Sequence, residues 1–571
     1  MFLKSVVVSA FTTFVVGQSS LPSCRILPSD SSWPAQDVWD TFNTSIDGRL
    51  IKTVPIGSPC HDPTFDQAQC DVIRNNWHSP EFHEANPSSI ADPVFLNKSC
   101  DPFDPRETPC QIGAYVQYAV NVSSREDVIQ TLQFVKEHNI RFVIKNTGHD
   151  YMGRSTGTGA VSVWMHNLQE IAWIPEFQSS NYTGPAFKVQ AGVTGSKITE
   201  KASKQGLVVV SGACPTVGFT GGYIQGGGHS PLSTAYGLAA DQTLEFEVIT
   251  TQGDFVTASP TKNSNLFWAL SGGGGGTYGI VWTVTVKAHK DLPITIGSVN
   301  FTLGDNTQDL YWKAIDAYQA STPDIMQGGA WAIAVYNNVS FSLFPVFGVN
   351  LTVQEVAAIL RSLLHTLDSL GVHYTTATQT FPGYLDALNS VQFLANFQVA
   401  NVLIGSRLLP RSLWKTNETI GNVQSTIRSI VDGGASVFDI TMKATLRNAG
   451  DPVNAVLPAW RDAERHFIFT LPLVDGESIQ QILQDRETIT TQFLAALKRL
   501  TSVTGSYINE ADSNDLDFKD AFYGANYDML LHIKDKWDPD QIMYGRVAVG
   551  GDRWFETEEG RLCRTDATES P

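Results

Sequence analysis

Three glycine-rich segments, each placed after a predicted strand, constrain this chain more than any other feature. They read KNTGHDYMGRSTG at 145–157, SGACPTVGFTGGYIQGGGH at 211–229 and SGGGGGTYG at 271–279. Glycine in a loop after a strand lets backbone amides approach a bound anion or a planar ring closely. A single segment of this kind is explained equally well by turn formation. Three of them within one stretch of chain predict a large ligand site lined by backbone.

The standard motifs of nucleotide-binding folds, serine hydrolases and metal sites are either absent from this sequence or stand in the wrong structural context. No segment spells G-x-G-x-x-G at the start of a helix, and no G-x-x-x-x-G-K-[ST] is present, which excludes a Rossmann-type dinucleotide site and a P-loop. Residues 153–157 match G-x-S-x-G, but a nucleophile elbow needs a helix directly after the serine. Here more small residues and a strand-like segment follow. The twelve histidines include no H-E-x-x-H and the cysteines no C-x-x-C, so no metal site is predicted.

The hydrophobic pattern predicts alternating strands and helices from residue 114 onward. Ser123 and Ser124 offer caps to a helix with Val128, Leu132 and Val135 on one face. Strands at 114–122 and 141–145 complete a βαβ unit around that helix. A second unit of strand, helix and strand is predicted at 187–191, 196–204 and 207–211, followed by a hairpin at 244–250 and 255–258 and a strand at 278–287.

The pattern of predicted strands and helices changes between about residues 294 and 500. Apolar strands at 329–336 and 340–346 alternate with long amphipathic helices such as the one at 353–370. This pattern predicts a separate α+β domain inserted in the chain, as a length of 571 residues also favours. A last helix is predicted from about 518 to Trp537, where Pro539 stops it.

Seven cysteines, an odd number, leave at least one thiol without an intramolecular partner. Cys60 and Cys70 are ten residues apart, as are Cys100 and Cys110, which suggests two local disulfide loops. Cys24 would then pair with Cys563, although the sequence does not fix the connectivity. This pairing leaves Cys214 free within the second glycine-rich segment.

The N-terminus and the sequons indicate a secretory protein. Lys4 precedes an apolar run at 6–16, which is shorter than the roughly 20 residues that span a bilayer. Gly17 ends a predicted signal peptide, and no membrane anchor is expected. Candidate N-glycan sites are Asn43, Asn97, Asn121, Asn181, Asn300, Asn338, Asn350 and Asn417. The net charge of −18 makes nucleic acid an unfavourable partner.

Long motifs in this chain resemble one known family. KNTGHDYMGRS, GACPTVGFTGGYIQGGGHSPLS with AYGLAADQ after it, LFWALSGGGGGTYGIV and the C-terminal SYINEAD…FYGANYDMLLHIKDKWDP are similar to fungal berberine-bridge-enzyme-like FAD-linked oxidoreductases. This branch belongs to the vanillyl-alcohol-oxidase/PCMH superfamily. The resemblance covers about 111–293 and 505–550.

The resemblance implies an α+β fold with a two-part PCMH-type FAD-binding domain and an inserted substrate domain on an antiparallel sheet. The expected division is a signal peptide at 1–17, a disulfide-stapled segment at 18–110, the FAD-binding domain at 111–293, the α+β substrate domain at 294–500 and a berberine-bridge-like segment at 501–571 that returns to the FAD domain.

The resemblance also implies FAD held by two covalent bonds, from His149 to the 8α-methyl group and from Cys214 to C6 of the flavin. The unpartnered Cys214 agrees with this, since a thiolate is the nucleophile that such an attachment needs. The further residues predicted to bind the cofactor are Asn146, Thr147, Gly148, Asp150, Ser155, Gly218, Gly222, Gly227, Gly228, Gly279, Ile280 and Val281.

Tyr151 and Glu510 are the candidate catalytic residues. Tyr151 lies two residues after the attachment histidine, and a packed aromatic is the alternative interpretation. Many plant members carry Tyr-x-Asn-Tyr where this chain has Tyr507-Ile-Asn509-Glu510. A buried Glu510 with a raised pKa could serve as a base near neutral pH, or it could be a structural hydrogen-bond acceptor.

The expected activity is oxidation of a C–H bond next to oxygen or nitrogen, by hydride transfer to flavin N5 with O₂ as acceptor. Tailoring of a fungal secondary metabolite is the leading hypothesis. A carbohydrate or simple-alcohol oxidase and a redox-neutral cyclase on the same scaffold are the alternatives.

Overall fold

The computed structural model describes residues 24–392, 397–501 and 504–565, so the predicted signal peptide lies outside the described residues. In the described ranges no helix is both long and apolar enough to cross a membrane. The α-helices are Gln36–Ser45 (α1), Gln67–Asn76 (α2), Pro80–Glu84 (α3), Arg125–Glu137 (α4), Gly195–Ser203 (α5), Ser233–Tyr236 (α6), Ser264–Leu270 (α7), Gln308–Gln327 (α8), Val353–Leu370 (α9), Tyr384–Asn389 (α10), Asn417–Asp432 (α11), Leu446–Ala449 (α12), Ile479–Thr488 (α13), Ala495–Leu500 (α14) and Tyr527–Trp537 (α15).

A four-stranded sheet contains the first predicted βαβ unit. Its strands are Leu50–Lys52 (β1), Tyr118–Asn121 (β2), Phe142–Lys145 (β3) and Val161–Trp164 (β4), in the order β1-β2-β4-β3. Strands β2 and β3 are parallel to β4, which lies between them. Helix α4 connects β2 to β3 and begins with the expected cap, because Ser124 and Asp127 form a capping box. The first glycine-rich segment therefore starts at the carboxyl end of β3.

The third glycine-rich segment leads directly into the central strand of an antiparallel five-stranded sheet. Its strands are Ile171–Gln178 (β5), Thr183–Gln190 (β6), Thr243–Ile249 (β8), Phe255–Ala258 (β9) and Ile280–Lys287 (β10), in the order β5-β6-β10-β8-β9. The predicted hairpin is present as β8 and β9. The second predicted βαβ unit is wrong, because Leu207–Val208 (β7) does not join β6 but pairs antiparallel with His289–Lys290 (β11).

A seven-stranded, wholly antiparallel sheet is built from the region 294–472. Its strands are Ile294–Thr302 (β12), Trp331–Tyr336 (β13), Ser340–Val349 (β14), Thr375–Phe381 (β15), Val402–Pro410 (β16), Ser436–Thr441 (β17) and Ala463–Pro472 (β18), in the order β15-β12-β14-β13-β17-β18-β16. Helix α9 has the bounds that the sequence predicts, since Thr352 caps its start and Gly371 adopts a left-handed conformation after its end.

The two faces of this sheet pack into different clusters of side chains, because successive residues of a strand point to opposite faces. On β18, Phe467 and Phe469 pack into the core beneath the helices, whereas Ile468 faces the opposite way. On β13, Ala332 and Ala334 join that helical core, and Trp331 and Ile333 face away from it. The outward face is consequently apolar and is free to form the wall of a site.

The described cysteines follow the predicted pairing. Disulfides join Cys60 to Cys70, Cys100 to Cys110 and Cys24 to Cys563, and Cys214 is free. The last disulfide connects segments 539 positions apart and lies beside the terminal hairpin of Trp554–Glu556 (β19) and Leu562–Arg564 (β20).

The last predicted helix is interrupted at its start. Residues Lys519–Tyr523 form a π-helical turn, Gly524 follows with φ of 54°, and α15 begins only at Tyr527. The left-handed conformation of Gly524 breaks the helix at the point where the hydrophobic pattern alone shows continuity. The helix ends at Trp537, as predicted.

Candidate cofactor and active site

A cavity of about 530 Å³ separates the glycine-rich loops from the apolar face of the seven-stranded sheet. All three glycine-rich segments contribute to its lining, and Trp331, Ile333, Phe438, Ile440 and Ile468 form part of the sheet wall. Segments 507–510 and 543–544 close it from the C-terminal part of the chain.

Two glycines show why the loops need this residue type. Gly148 has φ of 77°, a left-handed conformation that side chains disfavour. A Cβ atom at Gly218 would lie 2.7 Å from Nδ2 of Asn146. The backbone of the second glycine-rich loop therefore packs against the Asn146 side chain of the first loop. This close packing brings His149 and Cys214 to one cavity.

His149 is a half-buried, neutral imidazole in the cavity wall. Its Nδ1 atom is buried and has no hydrogen-bond partner among the described residues. Burial lowers the pKa of His149 to about 4, although the nearby carboxylates of Glu510 and Asp150 oppose that shift. At neutral pH the ring accordingly keeps a free lone pair.

Cys214 is a half-buried free thiol in the same wall. Its Sγ lies 3.6 Å from Oγ1 of Thr216. Burial raises the pKa of the Cys214 thiol to about 11, and the hydrogen bonds from Thr216 offset only part of this effect. The thiol is thus protonated at neutral pH and would have to lose its proton before it could act as a nucleophile.

Several polar atoms of the cavity wall form no hydrogen bond within the described part of the chain. Oδ1 of Asn146, Nδ1 of His149 and Oε1 of Gln225 are buried without a hydrogen bond in the described part of the chain, and all three residues line the cavity. Buried polar groups in proteins are normally paired. A large cofactor with its own donors and acceptors fits this wall.

Most of the predicted cofactor residues line the cavity. These are Asn146, Thr147, Gly148, His149, Asp150, Ser155, Cys214, Gly218, Gly222, Gly279 and Val281. Gly227, Gly228 and Ile280 are not part of the lining. The Ile280 side chain is fully buried in the core around α4, behind the wall. Gly227 and Gly228 instead accept backbone hydrogen bonds from Ala240 and Ala239, which fixes the loop that ends at His229.

Asp150 organises the first loop from within. Its two carboxylate oxygens accept hydrogen bonds from the backbone amides of Met152, at 2.9 Å, and Ser155, at 2.6 Å. Its side chain therefore folds the loop around His149.

Tyr151 lies between the large cavity and a second, small one. Its ring is 5.6 Å from the ring of His149, and burial raises the pKa of its hydroxyl well above the usual range. Asp92 and Arg486 line the small cavity behind it. Burial raises the pKa of Asp92 to about 7, against the opposing charge of Arg486.

Glu510 is held by two imidazoles. Its Oε2 atom accepts hydrogen bonds from Nε2 of His229, at 3.0 Å, and from Nε2 of His466, at 2.8 Å. Burial by itself would raise the pKa of Glu510, but the two histidines together hold it well below its usual range. Of the two alternatives that the sequence left open, a base with a raised pKa is therefore wrong in direction, and Glu510 is a carboxylate that accepts two hydrogen bonds.

His229 and His466 are site residues that the sequence analysis missed. His229 ends the second glycine-rich segment, so its position carried a usable signal. His466 lies in β18, which is buried along nearly its whole length and also contains Glu464 and Arg465, so nothing in the sequence singled it out. The potential ligand atoms of His229, His466 and Glu510 lie within 4.8 Å of one another, a group that could also hold a cation.

The sequence was compared with known protein families and with individual proteins, and both comparisons give the same family. Residues 116–259 match the family described as FAD binding domain, and residues 506–544 match the family described as berberine and berberine like. The FAD-linked oxidoreductase patO of Penicillium expansum is 42% identical over 545 residues, which cover 95% of each chain. This chain belongs to the fungal berberine-bridge-like FAD-linked oxidoreductases. It is an FAD-dependent oxidoreductase, and its cofactor is FAD.

Solved structures show the same architecture. The VAO-type flavoprotein MtVAO615 from Myceliophthora thermophila superposes with a TM-score of 0.90 at 35% identity, covering 95% of this chain and 100% of that one. Glucooligosaccharide oxidase from Acremonium strictum, described with a 6-S-cysteinyl, 8α-N1-histidyl FAD, shares the fold with a TM-score of 0.58 at 19% identity, covering 76% of this chain and 91% of that one.

Proposed function

We propose that this protein is a secreted oxidase with bicovalently bound FAD that tailors an apolar fungal secondary metabolite. The observation that carries the proposal is one cavity with His149 and the free Cys214 in one wall and an apolar sheet face in the other. When bound, FAD accepts a hydride from a substrate C–H bond and passes the electrons to O₂, which yields H₂O₂.

His149 and Cys214 are the residues that would hold the cofactor covalently. The other six cysteines form disulfides, so Cys214 is the thiol left for this purpose. The unpartnered Nδ1 of His149 is a neutral nucleophile. The same pair of bonds is described for the glucooligosaccharide oxidase flavin, which supports the assignment.

The first loop would hold the cofactor's pyrophosphate. Backbone amides of Thr147, Gly148, His149 and Asp150, together with Asn146 and Ser155, line this part of the cavity. Successive amides in a tight loop bind anions without a positively charged side chain.

The sheet wall favours an apolar substrate over a carbohydrate. Trp331, Ile333, Phe438, Ile440 and Ile468 present rings and branched aliphatic groups to the cavity, and the hydroxyl of Thr470, which also lines it, donates to the Ser436 carbonyl. A sugar would leave its hydroxyl groups without hydrogen bonds against such a wall, which costs free energy for each group. A polyketide-like or aromatic compound would bury apolar surface there.

The surface supports the secretory assignment. Asn97, Asn181, Asn338, Asn350 and Asn417 are exposed sequons. Asn43, Asn121 and Asn300 are half-buried, and their Oδ1 atoms accept hydrogen bonds from Leu50, Asn167 and Ser342. We expect glycans at the exposed group, and three disulfides fit an oxidising compartment.

Two measurements test the proposal. Acid-denatured protein should keep its yellow colour in wild type, His149→Ala and Cys214→Ala, and should release all FAD in the double variant. A colourless protein, flavin fully released from wild type, or a Cys214 found in a disulfide by peptide mapping would contradict the bicovalent form. An oxygen electrode with panels of apolar alcohols and phenols, oligosaccharides and simple alcohols should show uptake with the first panel. Turnover without oxygen uptake would instead indicate the redox-neutral cyclase.

A further inference from the structure

We infer that His229 is the proton acceptor of the reaction and that Glu510 and His466 are the residues that position it. The inference rests on the proposed function, because it assigns the group that takes the substrate's hydroxyl proton. The arrangement that supports it is a single carboxylate oxygen shared by two imidazoles at one end of the cavity.

The shared oxygen fixes the tautomer of both rings. A carboxylate oxygen can only accept, so Nε2 of His229 and Nε2 of His466 must each carry the donated hydrogen. In the neutral rings the lone pair then lies on Nδ1. Glu510 thus performs for His229 the task of a carboxylate that orients a catalytic imidazole and stabilises its protonated form.

The two imidazoles differ in access to the cavity. His229 lines the cavity, and its side chain is 12% exposed. His466 is not part of the lining, its side chain has no exposed surface, and its Nδ1 is buried without a described partner. The ring of His229 therefore borders the cavity and can contact a substrate there, whereas the ring of His466 does not.

Glu510 itself is a poor proton acceptor. The two histidines hold its pKa well below the usual range, so its anion has little affinity for a proton at neutral pH. The ionisable groups that surround His229 are Glu510, His466, Tyr507, whose ring is 5.4 Å away, and Tyr223, whose hydroxyl donates to the His229 carbonyl at 3.1 Å. Burial raises the pKa of both tyrosines above the usual range, so neither ionises near neutral pH.

The proton and the hydride leave the substrate separately. For an alcohol, the O–H bond breaks and its proton goes to Nδ1 of His229, the C–H bond breaks and its hydride goes to the flavin, and a C=O bond forms. Bound FAD would supply the hydride acceptor and O₂ the final oxidant, and the proton held by His229 would leave with the H₂O₂ that forms. The net reaction is alcohol plus O₂ to carbonyl plus H₂O₂.

The first test measures proton transfer without turnover. 4-Nitrophenol is a suitable probe because it has an apolar ring, one ionisable hydroxyl and a visible absorption band that reports the phenolate. Difference spectra of the holoenzyme over a pH series should show the bound phenol ionising at least about one pH unit below the free compound. His365→Gln, at an exposed position of α9, should keep this shift, whereas His229→Gln should lose it. Absence of the shift in wild type, or its persistence in His229→Gln, would overturn the inference.

The second test measures flavin reduction under anaerobic conditions with the best apolar alcohol or phenol from the oxygen-electrode panel. We expect His229→Gln to slow reduction about 10²- to 10⁴-fold and to flatten its pH profile. His466→Gln should slow it less than about tenfold with the profile retained. Equal losses with equal profiles in both variants, or one equivalent of a metal whose chelation abolishes activity, would overturn the inference. A protein whose flavin reacts with dithionite but with no substrate would show instead that the proposed function is wrong.

Discussion

His466 and Glu510 join the seven-stranded sheet to the C-terminal part of the chain through a hydrogen bond of 2.8 Å between Nε2 and Oε2. His466 comes from β18, and Glu510 comes from the segment that contacts the glycine-rich loops. Hydrogen bonds to a buried carboxylate are short and strong. The bond therefore fixes the end of the cavity where the apolar wall meets the cofactor loops.

Replacing Glu510 by Gln should preserve the fold and impair the chemistry. A glutamine amide can donate as well as accept, so it no longer enforces the Nε2–H tautomer of His229. We expect flavin reduction to slow by about 10²- to 10⁴-fold with FAD content unchanged. Anaerobic stopped-flow spectroscopy measures this rate, and Glu558→Gln at an exposed position is the matched control. A Glu510→Gln enzyme with the wild-type rate would show that the carboxylate plays no part in positioning His229.

Local sequence signals predicted those parts of the fold that local interactions decide. The caps Ser124 and Thr352 begin α4 and α9 as the sequence indicates. The apolar run at 207–211 carried no comparable signal for its partner strand. Its strand β7 pairs with β11, about 80 residues later, and pairing at that distance depends on the whole chain.

The candidate site divides in the same way. His149, Cys214 and Glu510 stand in recognisable motifs, and the cavity brings all three together. His466 lies in the buried strand β18. Its role depends on the register of β17 and β18, in which it lies opposite Ile440. The direction of the pKa shift of Glu510 could not be predicted from the sequence either. It follows from two histidines that only the tertiary structure places beside Glu510.

The apolar sheet wall should set substrate affinity. Ile440→Asn places an amide where an apolar substrate would lie, and we expect KM to rise about 10- to 100-fold, equivalent to roughly 1.5–3 kcal/mol of lost burial. Ile440→Val removes one methylene and should raise KM by less than about fivefold. Steady-state oxygen uptake with the best apolar substrate measures both. An unchanged KM in Ile440→Asn would place the substrate away from the sheet.

Asp92→Asn should stabilise the protein increasingly as the pH rises. Burial raises the pKa of Asp92 from its ordinary 3.8 to about 7, so the folded protein keeps this proton over a range where the unfolded chain has lost it. The stability that Asp92 contributes is present below pH 4 and is lost as the pH rises to about 7. Relative to wild type, the variant should gain up to about 1.4 kcal/mol per pH unit in that window.

Urea denaturation at several pH values between 4 and 8 measures this difference. Asp520→Asn, which replaces an exposed carboxyl, is the matched control. A constant difference for Asp92→Asn would mean that Asp92 ionises alike in the folded and unfolded chains.

Formation of the Cys214 bond to FAD should depend steeply on pH, whereas formation of the His149 bond should not. Burial raises the pKa of the Cys214 thiol to about 11, so the thiolate fraction grows about tenfold with each pH unit below that value. Burial lowers the pKa of His149 to about 4, so its neutral fraction is already complete above pH 6. Apoprotein of His149→Ala, which keeps only the thiol, should therefore gain acid-resistant flavin about ten times faster for each unit between pH 6 and 9. Apoprotein of Cys214→Ala should gain it at one rate across the same range. Equal pH dependence in the two variants would mean that a step common to both attachments, and not the ionisation of Cys214, limits the reaction.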